Sequence, residues 1–149
     1  MTSTALVLVA LFSLSLQSVE RNVSDPADRV PEGYWLIKDE DSGEVRSEVE
    51  FYLRGEELRA RITGLKEGAE NARCKGCPDE FDNARLKGMD LIWGLEWDGN
   101  RWVGGSILDV DEGKIYSCRI NSFDEKKIEV RGYISRPILG RTVTWHRKK

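Results

Sequence analysis

The sequence predicts an all-β fold, an eight-strand antiparallel barrel in up-and-down order. Three observations lead there. Apolar and polar residues alternate with period two in run after run from Gly33 onward, there are eight such runs, and most are joined by connections of hairpin length. Alternation gives each strand one buried and one wet face. Eight strands in sequence remove their exposed edges by closing on themselves, whereas a sandwich would need longer crossing connections.

The runs follow in order. "YWLIK" comes first, then "SEVEFYL", where Val49, Phe51 and Leu53 alternate with Glu48, Glu50 and Tyr52. The turn "RGEE" leads into "LRARITGL", with Leu58, Ala60 and Ile62 on one face. A long polar connection, residues 66–90, precedes "IWGLEW", the turn "DGN" and "RWVGGSIL". After "DVDEG" come "KIYSCRINS" and "KIEVRGYI", and "RTVTWHR" ends the series. Gly104 and Gly105 fall in mid-strand, where barrel curvature gives a reason for them. A phosphate-cradling loop is the alternative, but no helix start follows it. "DVDEGK" superficially looks like a calcium loop, yet the twelfth position from Asp109 is Ile120, which excludes an EF-hand. It reads as a hairpin turn with Gly113 at the positive-φ position.

With 149 residues, 40% hydrophobic and 33% charged, the chain has the composition of one soluble globular domain. A net charge of -3 offers no electrostatic case for nucleic acid. Residues 1–18, "MTSTALVLVALFSLSLQS", carry no charged side chain, and the apolar run is short of the about 20 residues that span a bilayer. They fit the apolar region of a signal peptide ending at Ser18, although the start lacks the usual Lys or Arg. A cut after Ser15 and a buried N-terminal helix are the other readings. The expected organisation is therefore a leader over 1–18, a polar lead-in over 19–32 and a barrel over 33–147, in a periplasmic or secreted protein that does not span the membrane once the leader is removed.

Two sets of residues carry a resemblance. Gly33, Tyr34 and Trp35 open the first strand, and Arg141 lies near the end of the chain. This resembles the lipocalin-type signature, which implies a lipocalin-like barrel whose first-strand tryptophan closes one end under a late arginine, here Arg141 over Trp35. The second set is more specific: Trp102, Gly104, Gly105, Ile107, Asp109, Gly113, Lys114 and Tyr116, then "VRGY" ending at Tyr133, then "GRTVTW" ending at Trp145. Over residues 33–147 the chain resembles a bacterial family known as domain of unknown function 2147. The resemblance implies a small exported barrel and no activity. The middle loop departs from the family, many of whose members carry a longer segment there.

"CKGC", Cys74 to Cys77, is the most chemical-looking motif. A thioredoxin-like role needs a βαβ setting that is not visible, and zinc needs further ligands that lie only on distant strands. In an exported protein the plain reading is a disulfide between Cys74 and Cys77 pinning the long loop, worth about 2 kcal/mol at most; free thiols are the alternative. Cys118 alternates with Tyr116 and Ile120 and reads as an inward apolar filler. His146, the only histidine, alternates away from Trp145 and reads as solvent-facing.

No nucleophile–base pair, metal cluster or carboxylate dyad is evident, so the expectation is a non-enzyme with no cofactor and no metal. The partner expected is a small apolar or amphipathic ligand at one barrel end, with Trp35, Tyr116, Arg131, Arg141 and Trp145 lining or closing the interior and the long loop as a lid. The competing expectation is a lumen plugged by tryptophans, serving a structural or protein-interaction role in the cell envelope.

Overall fold

In the computed structural model residues 26–149 are described. The expected leader over 1–18 and the first part of the lead-in, 19–25, lie outside the described residues. A 3-10 turn, Pro26–Arg29, precedes the strands β1 (Tyr34–Lys38), β2 (Val45–Arg54), β3 (Glu57–Leu65), β4 (Asp90–Trp97), β5 (Trp102–Val103), β6 (Gly105–Asp109), β7 (Lys114–Phe123), β8 (Lys127–Tyr133) and β9 (Gly140–Arg147). Neighbours in the sheet run β3-β2-β1-β9-β8-β7-β6-β4-β5, and a further β3–β4 pairing closes the ring. Every pairing is antiparallel.

All eight expected runs are strands, and the fifth is split into β5 and β6 at Gly104. Both halves pair with β4, Trp102 and Val103 opposite Trp97 and Glu96, and Ser106 and Ile107 opposite Trp93 and Ile92. The break is a curvature device. Gly104 has φ +72° and, across the pair, Gly94 has φ +74°, backbone that L side chains rarely adopt. A Cβ on Gly105 would sit 2.6 Å from Leu95 Cγ and 2.8 Å from the Trp93 carbonyl oxygen. The two strands can approach this closely only because position 105 has no side chain.

Register and alternation sort the side chains. Trp35 pairs with Val49, Val49 with Ile62, and Phe51 with Ala60. Cys118 pairs with Gly105 and Gly132, Ile120 with Val130, and Ile128 with Trp145. These residues form the inward face, and those with side chains are at most 4% exposed. Trp93, opposite Ser106, and Leu108, opposite Ile115, face outward. Leu108 is nevertheless only 1% exposed.

The connection over 66–89 accounts for that cover. It folds back on itself through Cys74 N–H to Ala84 O and Leu86 N–H to Ala72 O. The Cys74–Cys77 disulfide forms at its turn, and both cysteines are buried. Phe81 stacks on the outward Trp93 at 5.1 Å. Gly76 packs so closely on the β6–β7 turn that a Cβ on Gly113 would strike its carbonyl. Gly113 has φ +65°, the positive-φ turn position expected. The expected excursion over one end is thus corrected: the loop braces the outer wall of β4 and β6, because outward Trp93 and Leu108 give it apolar surface to cover.

The two neighbouring glycines should respond differently. Gly105→Val is expected to lose about 3 kcal/mol by overpacking. Gly104→Ala has nothing within 4 Å of the new carbon and should lose only about 1 kcal/mol, from left-handed backbone. Urea unfolding midpoints of the two variants measure the difference.

Candidate functional site

The ring has two unlike ends. At the first, β1 begins and β9 ends, and inward aromatic residues fill the space. Trp35 is fully buried and its indole N–H donates to Pro31 O at 2.9 Å. Trp102 is 3% exposed and donates to Arg29 O at 2.7 Å. Trp97 packs edge-on against Trp102, and Trp145 against Phe51 at 6.0 Å. The part of the lead-in from Pro26 to Pro31 is therefore a stopper, anchored by indole donors that would otherwise be buried without partners.

Arg147 completes this end. Its guanidinium lies over the Trp35 ring at 4.4 Å, donates through Nε to Glu125 O at 2.6 Å, and donates through Nη1 to Glu32 O. It also takes the place of a side chain on Gly33, where a Cβ would lie 2.6 Å from Nη1. Gly33 itself has φ +87°. The glycine before the tryptophan thus makes room for an arginine contributed by the other end of the chain.

This corrects the expectation for Arg141. Strand β9 meets β1 with Arg147 opposite Trp35 and His146 opposite Leu36. Arg141 is six residues earlier, about 20 Å away along an extended strand. It lies at the other end of the barrel, largely exposed, paired with Glu40 of the β1–β2 turn. The arginine pairing holds the Glu40 carboxyl below its usual range, and the Arg141 guanidinium is raised in turn.

That second end is the mouth. Its inward residues, Ile37, Leu65, Ile107, Tyr116 and Val143, are half-buried, unlike the sealed residues below them. Gly132 faces inward among them, and a Cβ there would only touch Ile107 Cγ2 at 3.6 Å and Tyr116 Cβ at 3.9 Å. Charged latches ring the opening. Arg46 at the start of β2 makes a bidentate pair with Asp111 of the β6–β7 turn, both bonds 2.7 Å, across two strands that are not neighbours. Tyr116 donates to Glu112, which raises the phenol pKa. The hydrogen bond from Arg46 lowers the Asp111 carboxyl. A lowered carboxyl contributes fully above its ordinary pKa and loses that contribution as pH falls through the lowered value, so acid loosens the latch and base does not.

The remaining candidates fall as follows. Trp35 and Trp145 are packing residues of the stopped end, and Tyr116 is at the mouth. Arg131 is corrected: it pairs with Arg119 and Thr142 in outward positions. There it donates to Pro137 O at 2.5 Å, Gly140 O at 3.1 Å and Thr142 Oγ1 at 2.9 Å. Cys118 is buried and free, its thiol pushed up to about 12 by burial. His146 is exposed. Among the described residues no group of three His, Cys, Asp or Glu side chains is placed to hold a metal ion. No helix among them is long and apolar enough to cross a membrane. Two recesses open near the stopped end, neither lined by the five candidates. One of about 430 Å³ lies between Val30, Gly33 and Phe51. One of about 240 Å³ lies between β5 and β7, against Trp97, Trp102, Ile120 and Phe123.

Residues 33–147 match the family model described as an uncharacterised protein conserved in bacteria, DUF2147. The chain belongs to this family. A solved structure with the same fold is HP1028 from Helicobacter pylori, described as belonging to the lipocalin family. Its TM-score is 0.68 at 21% identity, covering 79% of this chain and 82% of that one. No curated protein sequence matches significantly. The DUF2147 chain is therefore a lipocalin-like barrel, and its late arginine is the last-strand Arg147.

Sequence reasoning passed over Arg147 because alternation alone leaves the β1–β9 register open. It passed over the Arg46–Asp111 latch because no pattern links residues so far apart. The two arginines should separate on substitution. Arg147→Ala should lose about 2 kcal/mol or more, from the ring contact and the backbone acceptors left behind. Arg141→Ala should leave the unfolding midpoint unchanged within error. Chemical denaturation followed by tryptophan fluorescence measures both.

Proposed function

We propose that this chain is an exported binding module, not an enzyme, that takes one small apolar or amphipathic ligand at the mouth. The observation that carries the reading is the contrast along the lumen. Trp35, Trp102, Trp145 and the inward residues packed on them are 0–4% exposed, whereas at the mouth Ile37, Leu65, Ile107, Tyr116 and Val143 are all half-buried. At the stopped end only the outermost inward residues, Leu53, Trp97 and Phe123, are so. A seat at the mouth is shallow, since a ligand entering further would have to displace packed tryptophan. Arg141 at the rim suits an anionic head group, which would compete with Glu40. Lipocalin-like barrels hold small ligands at an open end, which supports the choice of the mouth. Export is supported by the apolar leader and by the loop disulfide, a bond that persists in oxidising compartments.

The filled lower lumen favours a second reading, a plugged barrel with a structural or protein-interaction role in the envelope. Native mass spectrometry of protein purified from its own cells, with extraction of any adduct, separates the two. The binding reading expects a bound lipid or small acid. Gly132→Leu, which fills the cup without positive-φ strain, should then weaken rebinding about tenfold or more. A clean apo mass, with no fluorescence change across a panel of fatty acids and small anions, would leave the plugged barrel.

A further inference from the structure

The β8–β9 connection is built unlike the other turns. Ile134, Ile138 and Leu139 are 62%, 82% and 62% exposed, three aliphatic side chains on one short loop. Exposed apolar groups gathered in this way mark an interaction surface, unlike scattered ones. The backbone beneath them is partly tied to itself. Ile134 N–H donates to Leu139 O, Arg136 N–H to Ile134 O and Leu139 N–H to Arg136 O, while Pro137 has no N–H to place. Arg131 takes the carbonyls of Pro137 and Gly140 and reaches that of Ile138 at 3.4 Å.

Within the loop sequence the charge has one sign, and of its arginines Arg141 is already paired with Glu40 of the β1–β2 turn. Residues 131–141 include three arginines and no acid. Arg119 lies directly opposite Arg131 on the same outward face. Such a like-charge pair is unfavourable unless something else compensates it. Among the described residues, Arg119, Arg131 and Arg136 make no ion pair. The next acid along that face, Glu129, accepts from Ser122 and lies 3.8 Å from Lys127.

We infer that this loop docks onto an anionic lipid surface, Ile134, Ile138 and Leu139 entering the apolar boundary and Arg119 and Arg136 meeting headgroup phosphates. A protein partner would instead be expected to use free polar groups at its rim. Aliphatic side chains beside guanidinium groups are the composition of interfacial anchors on anionic lipid. The surface goes beyond the ligand reading.

Vesicle flotation of the full chain tests this without reference to any ligand. Wild type should bind phosphatidylglycerol–phosphatidylethanolamine vesicles about tenfold or more better than phosphatidylcholine vesicles, and less well as salt is raised. Ile138→Ser with Leu139→Ser should reduce binding about tenfold with the unfolding midpoint unchanged, because both side chains are exposed. Arg136→Gln should weaken binding to the anionic vesicles only. Equal binding by wild type and the double serine variant overturns the inference. So does a wild-type dimer in sedimentation that the same variant abolishes, which would make the tip a self-association surface.

Discussion

The stack of Gly33, the Arg147 guanidinium and the Trp35 ring is the contact on which the rest of the barrel depends. It joins the first strand to the last, at the seam where only two residue pairs hold β1 to β9. A ring lacking that seam would be an open sheet with two long edges and Trp35 at its margin. The same arginine ties Glu32 and Glu125, so the lead-in and the β7–β8 turn are gathered at one point. Closure, burial of the tryptophan and docking of the stopper are one event for this chain.

From that end upward the interior changes character. Four tryptophans, Trp35, Trp97, Trp102 and Trp145, occupy the stopped end, and Leu58, Leu95, Ile120 and Ile128 fill the gaps between them. Above them the inward positions become small or aliphatic, Cys118, Gly105 and Gly132 among them. A barrel of eight strands has room for side chains or for one small ligand. This one places its tryptophans below, and the inward side chains at the mouth are half-buried. The latches at the rim tie turns from different parts of the ring, so the mouth is held by charge where the base is held by packing.

Much of this was legible in the sequence. Period-two alternation marked every strand, since each has one sealed face, and Gly104 and Gly105 marked the bend. The inward Cys118 was legible for the same reason, and the Cys74–Cys77 bond from the short spacing of the pair in the long connection. What alternation does not carry is register between distant strands. Arg141 and Arg147 share a face of β9, and only the offset with β1 decides which meets Trp35. Arg131 alternates with Val130 and Gly132, so its parity is opposite to the inward face, and its acceptors are carbonyls that no residue pattern reveals. The stopper was missed because Val30 and Pro31 are single apolar residues in a polar stretch, buried by tertiary docking alone.

Cys118 is placed to report on the central claim, that the barrel is closed and packed through its middle. It faces inward opposite Gly105 and Gly132, fully buried, with a thiol held at about 12 by burial. The direct measurement is its alkylation rate without reductant, followed from native buffer through increasing urea. A packed ring predicts labelling only through global opening, so the rate should rise in proportion to the unfolding equilibrium constant across the series. Rapid labelling in native buffer, insensitive to urea below the transition, would contradict the account and show an open lumen.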